Sequence, residues 1–183
     1  MEQPIIFIGP IGAGKTTIGK MIAQKLSIPF YSLDEEEKQY TEPIGYNETR
    51  YDLIKEQQGP FPAYDYARGF FDEAVVRFLA EHKKGVFDLG GGHPIVPDAH
   101  KQERIKKALK PYQNIFLLMP TQDTEESLQI LYKRNEITNE IPDFNTLYFK
   151  DKTFWDIAKF ILYTEGKTPN ETCEEVLRKL GKS

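Results

Sequence analysis

The stretch GPIGAGKTT, residues 9–17, places Gly9, Gly14, Lys15 and Thr16 in the pattern G-x-x-x-x-G-K-[ST]. Glycines let successive backbone N–H groups turn toward one anion, and a helix beginning at Lys15 would add its positive dipole end. Lys15 is placed to reach the outer phosphates of a nucleotide, and the Thr16 hydroxyl suits Mg²⁺. Gly12, Ala13 and Thr17 complete the loop, so ATP and Mg²⁺ are the expected cofactors. A second stretch, GVFDLGGGHP (85–94), ends an apolar run on Asp88 and follows it with Gly90, Gly91 and Gly92. In a chain carrying such a loop, a neighbouring strand commonly ends in a carboxylate that holds Mg²⁺ directly or through water. Asp88 fits that role, which makes Thr16 and Asp88 the expected metal site. The three glycines leave a bare backbone that can lie against a small acceptor beside the γ-phosphate, or else form a flexible turn.

These residues need elements to hold them. PIIFIG (4–9), PFYSL (29–33), GVFDL (85–89), NIFLLM (114–119) and KFILY (159–163) are short apolar runs bounded by breakers, as in strands buried in a parallel sheet. Helical patterns alternate with them over 15–26, 70–82, 99–109, 123–135 and 171–180. The alternation predicts an α/β fold with helices on both faces of a parallel sheet, in one domain spanning 1–183. Two segments break the rhythm. The Pro- and Tyr-rich 41–69 reads as an irregular insertion on the substrate side, and the polar 135–152 as a lid. Tyr46, Tyr51, Phe61, Tyr64 and Tyr66 of the first either pack beneath a loop or wall a pocket.

Bulk properties exclude several classes. A net charge of -4 argues against a general nucleic-acid surface, while leaving room for a local basic pocket. No apolar run approaches membrane-spanning length and no leader pattern opens the chain, so a cytoplasmic protein without a membrane partner is expected. One cysteine, Cys173, permits no internal disulfide and reads as a small buried hydrophobe. His93 and His100 have no partner at metal-ligand spacing and read as loop residues. Trp155 reads as a packing anchor.

The order GPIGAGKTTIGKMIAQKL, PFYSLDEE, ARGFFDEAVVRFLA and GVFDLGGG resembles the shikimate kinase family, and DIAKFILYTEGKTPNETCEEVLRKL resembles that family's last strand and helix. The resemblance implies a P-loop NTPase fold, a three-layer α/β/α with five parallel strands in the order 2-3-1-4-5. It makes Asp34 the carboxylate that binds the acceptor hydroxyl and takes its proton, although Asp34 also opens an acidic run of the kind that caps helices. It makes Gly90, Gly91 and Gly92 substrate-lining residues, and it sets Arg68, about one residue out of register, near an arginine that grips a substrate carboxylate. Arg134 falls at the residue flanking adenine, and Lys150 stands where a second carboxylate-gripping arginine is expected.

Departures from the pattern are equally specific. Ser32 replaces the first aspartate of Asp-x-Asp at the end of the second strand, so Asp88 is read as carrying the magnesium role from the third. Ile141 stands before Pro142 where family lids have an arginine. The expected activity is ATP-dependent phosphoryl transfer to a hydroxyl of a small polar metabolite, by a monomer or weak homodimer. A nucleoside or nucleotide kinase, and an ATP-binding regulatory module with little catalysis, stay open beside it.

Overall fold

The computed structural model describes residues 3–135 and 143–182. Five strands, β1 (Ile5–Ile8), β2 (Phe30–Ser32), β3 (Val86–Asp88), β4 (Ile115–Met119) and β5 (Phe160–Tyr163), form one parallel sheet in the spatial order β2-β3-β1-β4-β5. Every expected strand is present, in the expected order.

Side chains alternate across a strand, and here both sets are apolar. Ile6, Ile8, Phe87, Ile115, Leu117 and Met119 face one buried cluster, while Ile5, Phe7, Val86, Phe116 and Leu118 face another. A sheet greasy on both faces must be covered on both. Helices α1 (Lys15–Leu26) and α10 (Pro169–Lys179) cover the second cluster, with Cys173 fully buried there. Residues of α2 (Leu33–Thr41), α5 (Phe71–Glu81) and α6 (Ala99–Leu109) join the first. The start of α10 carries its own signal: Thr168 and Glu171 form a reciprocal capping box around Pro169.

The segment 41–69 departs from expectation. It is almost wholly helical, with a 3-10 turn at Glu42–Ile44, then α3 (Glu48–Gln58) and α4 (Pro60–Arg68). The prolines and glycines that suggest an irregular loop instead punctuate helices. Asn47 caps α3 by accepting from the Arg50 amide, Gly59 ends α3 at φ 97°, and Pro60 begins α4 where a missing N–H costs nothing. Tyr46 stacks on Tyr66 with ring centres 5.7 Å apart, so that part of the aromatic set packs the hairpin together.

Helix α7 (Thr124–Arg134) follows β4, and α8 (Asn145–Lys150) and α9 (Thr153–Ile157) precede β5. The expected lid is therefore helical at its C-terminal end, and Ile141 and Pro142 lie outside the described residues. Trp155 of α9 is half-buried, its ring centre 6.2 Å from that of Phe149. Among the described residues no helix is long and apolar enough to cross a membrane.

Candidate active site

The loop after β1 and the turn after β3 leave adjacent parallel strands at their C-terminal ends, where open α/β sheets form binding crevices. Gly14, at φ 95°, turns the chain into α1 in a conformation that a side chain would strain. Lys15 is buried and its Nζ donates to the Gly9 and Pro10 carbonyls at 3.0 and 2.9 Å, so the ammonium sits inside the loop it would serve. Thr16 Oγ1 donates to Asp88 Oδ2 at 2.6 Å, and the other Asp88 oxygen accepts from the Gly90 amide at 2.9 Å. Asp88 is fully buried and stands directly opposite Ser32 across the β2–β3 pair. The strand pairing thus brings Thr16, Asp88 and Ser32 to one place.

On one side of the loop, a cavity of about 250 Å³ is lined by Gly12, Ala13, Gly14, Thr17 and Arg134, among others. Arg134 there donates to Glu165 at 2.8 Å. On the other side, Ile11 meets a second cavity of about 210 Å³, bounded by Asp34, Glu37, Tyr64, Phe71, Gly91, Gly92, His93, Phe144 and Tyr148.

Asp34 and Glu37 lie one turn apart in the first half of α2, where the helix dipole favours acidic residues. Both reach His93. Its Nε2 is 3.1 Å from Glu37 Oε2, and its Nδ1 is 3.2 Å from Asp34 Oδ1 but out of line for a hydrogen bond. His93 is buried against the Phe71 ring. Burial by itself would push its pKa down, but the two carboxylates outweigh this and raise it to about 9, so the ring is an imidazolium at neutral pH. Burial likewise pushes Asp34 up, yet His93 and then Lys15 hold its carboxyl below the usual range. The Asp34 side chain is 56% exposed, so an ionised carboxylate opens to the cavity.

The glycine run has a more exact reason than an open surface. A β-carbon on Gly90 would overlap the Asp34 carboxylate, and one on Gly92 would overlap the Tyr64 and Tyr148 hydroxyls. Those hydroxyls are 2.5 Å apart, and burial pushes the Tyr64 phenol up to about 12 and Tyr148 higher, so both keep their protons. Gly91 and Gly92 line the cavity, and Gly90 lets Asp34 close against the turn.

Arg68 and Lys150 stand apart from these walls. Arg68 is buried, donating to Asp65 at 3.0 Å and to the Ile95 carbonyl at 3.2 Å, with its guanidinium carbon 5.7 Å from the Tyr64 ring centre. Lys150 is exposed at the end of α8, the helix that turns Tyr148 inward.

Three contributors were illegible by residue type. His93 read as a loop residue is in fact the ionic partner of Asp34, and its place directly after the glycine run was the available signal. Asn145 and Asn135 clasp the loop: the Ile11 amide donates to Asn145 Oδ1 at 2.8 Å, and the Ile11 carbonyl accepts from both side-chain amides.

The His93 arrangement gives a testable pH effect. A pKa raised on folding from 6.5 to about 9 contributes stability that is complete below 6.5 and is lost as pH rises through about 9. The contribution is at most roughly 3 kcal/mol. His93→Gln is expected to remove that slope, so urea midpoints of the two proteins should differ most near neutrality or below and converge above about pH 9. Parallel profiles would show that His93 carries no linked charge.

The sequence model of the shikimate kinase family matches residues 11–47, a span that includes both Lys15 and Asp34. A shikimate kinase of Enterococcus faecalis is 28% identical over 192 residues, covering 97% of this chain and 98% of the relative. One of Bacillus pumilus is 32% identical over 142 residues, covering 74% of this chain and 65% of that one. The solved shikimate kinase of Acinetobacter baumannii in complex with shikimate shares the fold at a TM-score of 0.63 and 20% identity, over 97% of this chain and 92% of that one. Likeness that runs from end to end in both sequence and fold makes the chain a shikimate-kinase-like P-loop kinase.

Proposed function

We propose that this kinase moves the γ-phosphoryl group of ATP to a hydroxyl of a small polar metabolite held in the 210 Å³ cavity, with Asp34 as the group that binds and deprotonates that hydroxyl. One observation carries the reading: an ionised carboxylate faces a cavity that borders the phosphate loop. A base must stand within reach of the proton it takes, and the acceptor cavity supplies that placement. His93 acts through Asp34, keeping it ionised and fixed in position.

The chemistry of the donor set fits Mg²⁺. Thr16 offers a hydroxyl and Asp88 a carboxylate, and among the described residues no cluster of three His, Cys, Asp or Glu side chains could hold a metal. That matches an ion that takes few protein oxygens and completes its shell with phosphates and water. When bound, Mg²⁺ would neutralise charge on the phosphates. Lys15 neutralises charge on the transferring group, the loop amides and the start of α1 orient it, and the aromatic walls exclude water from the acceptor. Arg134 is proposed at the nucleotide base, where it lines the outer cavity.

Asp34→Asn is expected to fold and bind ATP as the parent does, yet to lose about 10²–10⁴-fold in kcat. The amide keeps the shape but cannot accept the proton. Equal losses in ATP affinity and kcat, measured by calorimetry and steady-state kinetics, would assign Asp34 to the nucleotide site instead.

A further inference from the structure

The acceptor cavity has an uneven ionic lining. Its charged walls are Asp34, Glu37 and the His93 imidazolium, two negative groups against one positive. Among the described residues no arginine or lysine lines it. The nearest candidates are committed elsewhere. Lys15 is bonded to the loop carbonyls, and Arg68 is bonded to Asp65 and the Ile95 carbonyl, over the Tyr64 ring.

The rest of the wall is aromatic. The Tyr64 and Phe144 rings have centres 4.3 Å apart, and Phe71 and Tyr148 complete that side. A carboxylate entering this space would lose water and meet two like charges, and the nearby cations are already engaged, the His93 imidazolium with both carboxylates and Lys15 with the loop carbonyls. A hydroxyl has no such penalty. It donates to Asp34 or Glu37 in a charge-assisted bond, while the carbon face of a small ring packs on the aromatic side chains.

We propose that the acceptor is an uncharged polyhydroxy compound of monosaccharide or cyclitol size, and that compounds bearing a carboxylate are disfavoured. The inference rests on the kinase reading above for the identity of the cavity as the acceptor site. It is separable from that reading because binding can be measured without turnover. Calorimetry on the whole chain with ADP and Mg²⁺ present compares matched pairs, gluconate with glucitol and shikimate with the alcohol made by reducing its carboxyl. The neutral member of a pair is expected to bind at least about tenfold more tightly. Equal or tighter binding of the carboxylate member overturns the proposal, and so does failure of every member to bind. Selective binding of the neutral member without phosphorylation when ATP replaces ADP would uphold the ligand class of the cavity and overturn the phosphotransfer reading.

Discussion

Lys15→Ala is expected to abolish turnover, lowering kcat by about 10³-fold or more. The ammonium is held within the loop by the Gly9 and Pro10 carbonyls, close to where the outer phosphates of a nucleotide would lie. Among the described residues no second cation is positioned to replace it: Arg134 pairs with Glu165, and Arg68 is bonded to Asp65 and the Ile95 carbonyl. Stability should change little, because the two carbonyls released can bond water and a typical hydrogen bond is worth only about 1 kcal/mol net. Circular dichroism and urea titration check the fold, and single-turnover kinetics the loss. Retention of more than about a tenth of the parental rate would remove the loop from the catalytic site.

Asp88→Ser should be nearly as severe, and its rescue is more informative. Asp88 accepts from Thr16 and from the Gly90 amide, so serine unties both the hydroxyl proposed to bind the metal and the glycine turn. A loss of about 10²–10³-fold in activity is expected, with a matching weakening of Mg²⁺-dependent ATP binding. Ser32 is the direct partner of Asp88 across β2 and β3, and directly paired residues project on the same face of a sheet. Adding Ser32→Asp to Asp88→Ser should therefore restore part of both quantities. Calorimetric titration of ATP with and without Mg²⁺ reads the metal apart from the chemistry. Losses that simply multiply, with the Mg²⁺ effect on binding unchanged, would show that the two positions do not share an ion.

The sheet and the loop were legible because their signals are local. Five apolar runs between breakers gave the strands, and the glycine-lysine pattern between a strand and a helix gave the loop. Asp88 was legible for the same reason, since it ends its strand. The hairpin of α3 and α4 was misread because Pro60 and Gly59 break structure only in mid-element, whereas at a helix boundary they assist it. His93 was lost for a different cause. Its partners lie on α2, an element whose acidic sequence gives little apolar periodicity, and 56 residues separate His93 from Glu37. The asparagine clasp on Ile11 spans 124 and 134 residues through neutral amides, which carry no chemical signature of their own. Local pattern thus gives the sheet and the phosphate loop, while the cavity beside Asp34 is a product of tertiary contacts among α2, α4, α8 and the turn after β3.

The most direct test follows the phosphoryl group itself. ATP labelled on its γ-phosphoryl group is incubated with Mg²⁺, the protein and uncharged polyols of monosaccharide size, and the products are separated. The expected result is label in a phosphate ester on an acceptor hydroxyl, one ADP formed per ester, and negligible ADP when the acceptor is withheld. Label released only as inorganic phosphate at a rate independent of every acceptor, or formation of AMP in place of ADP, would contradict the assignment of a hydroxyl-directed kinase.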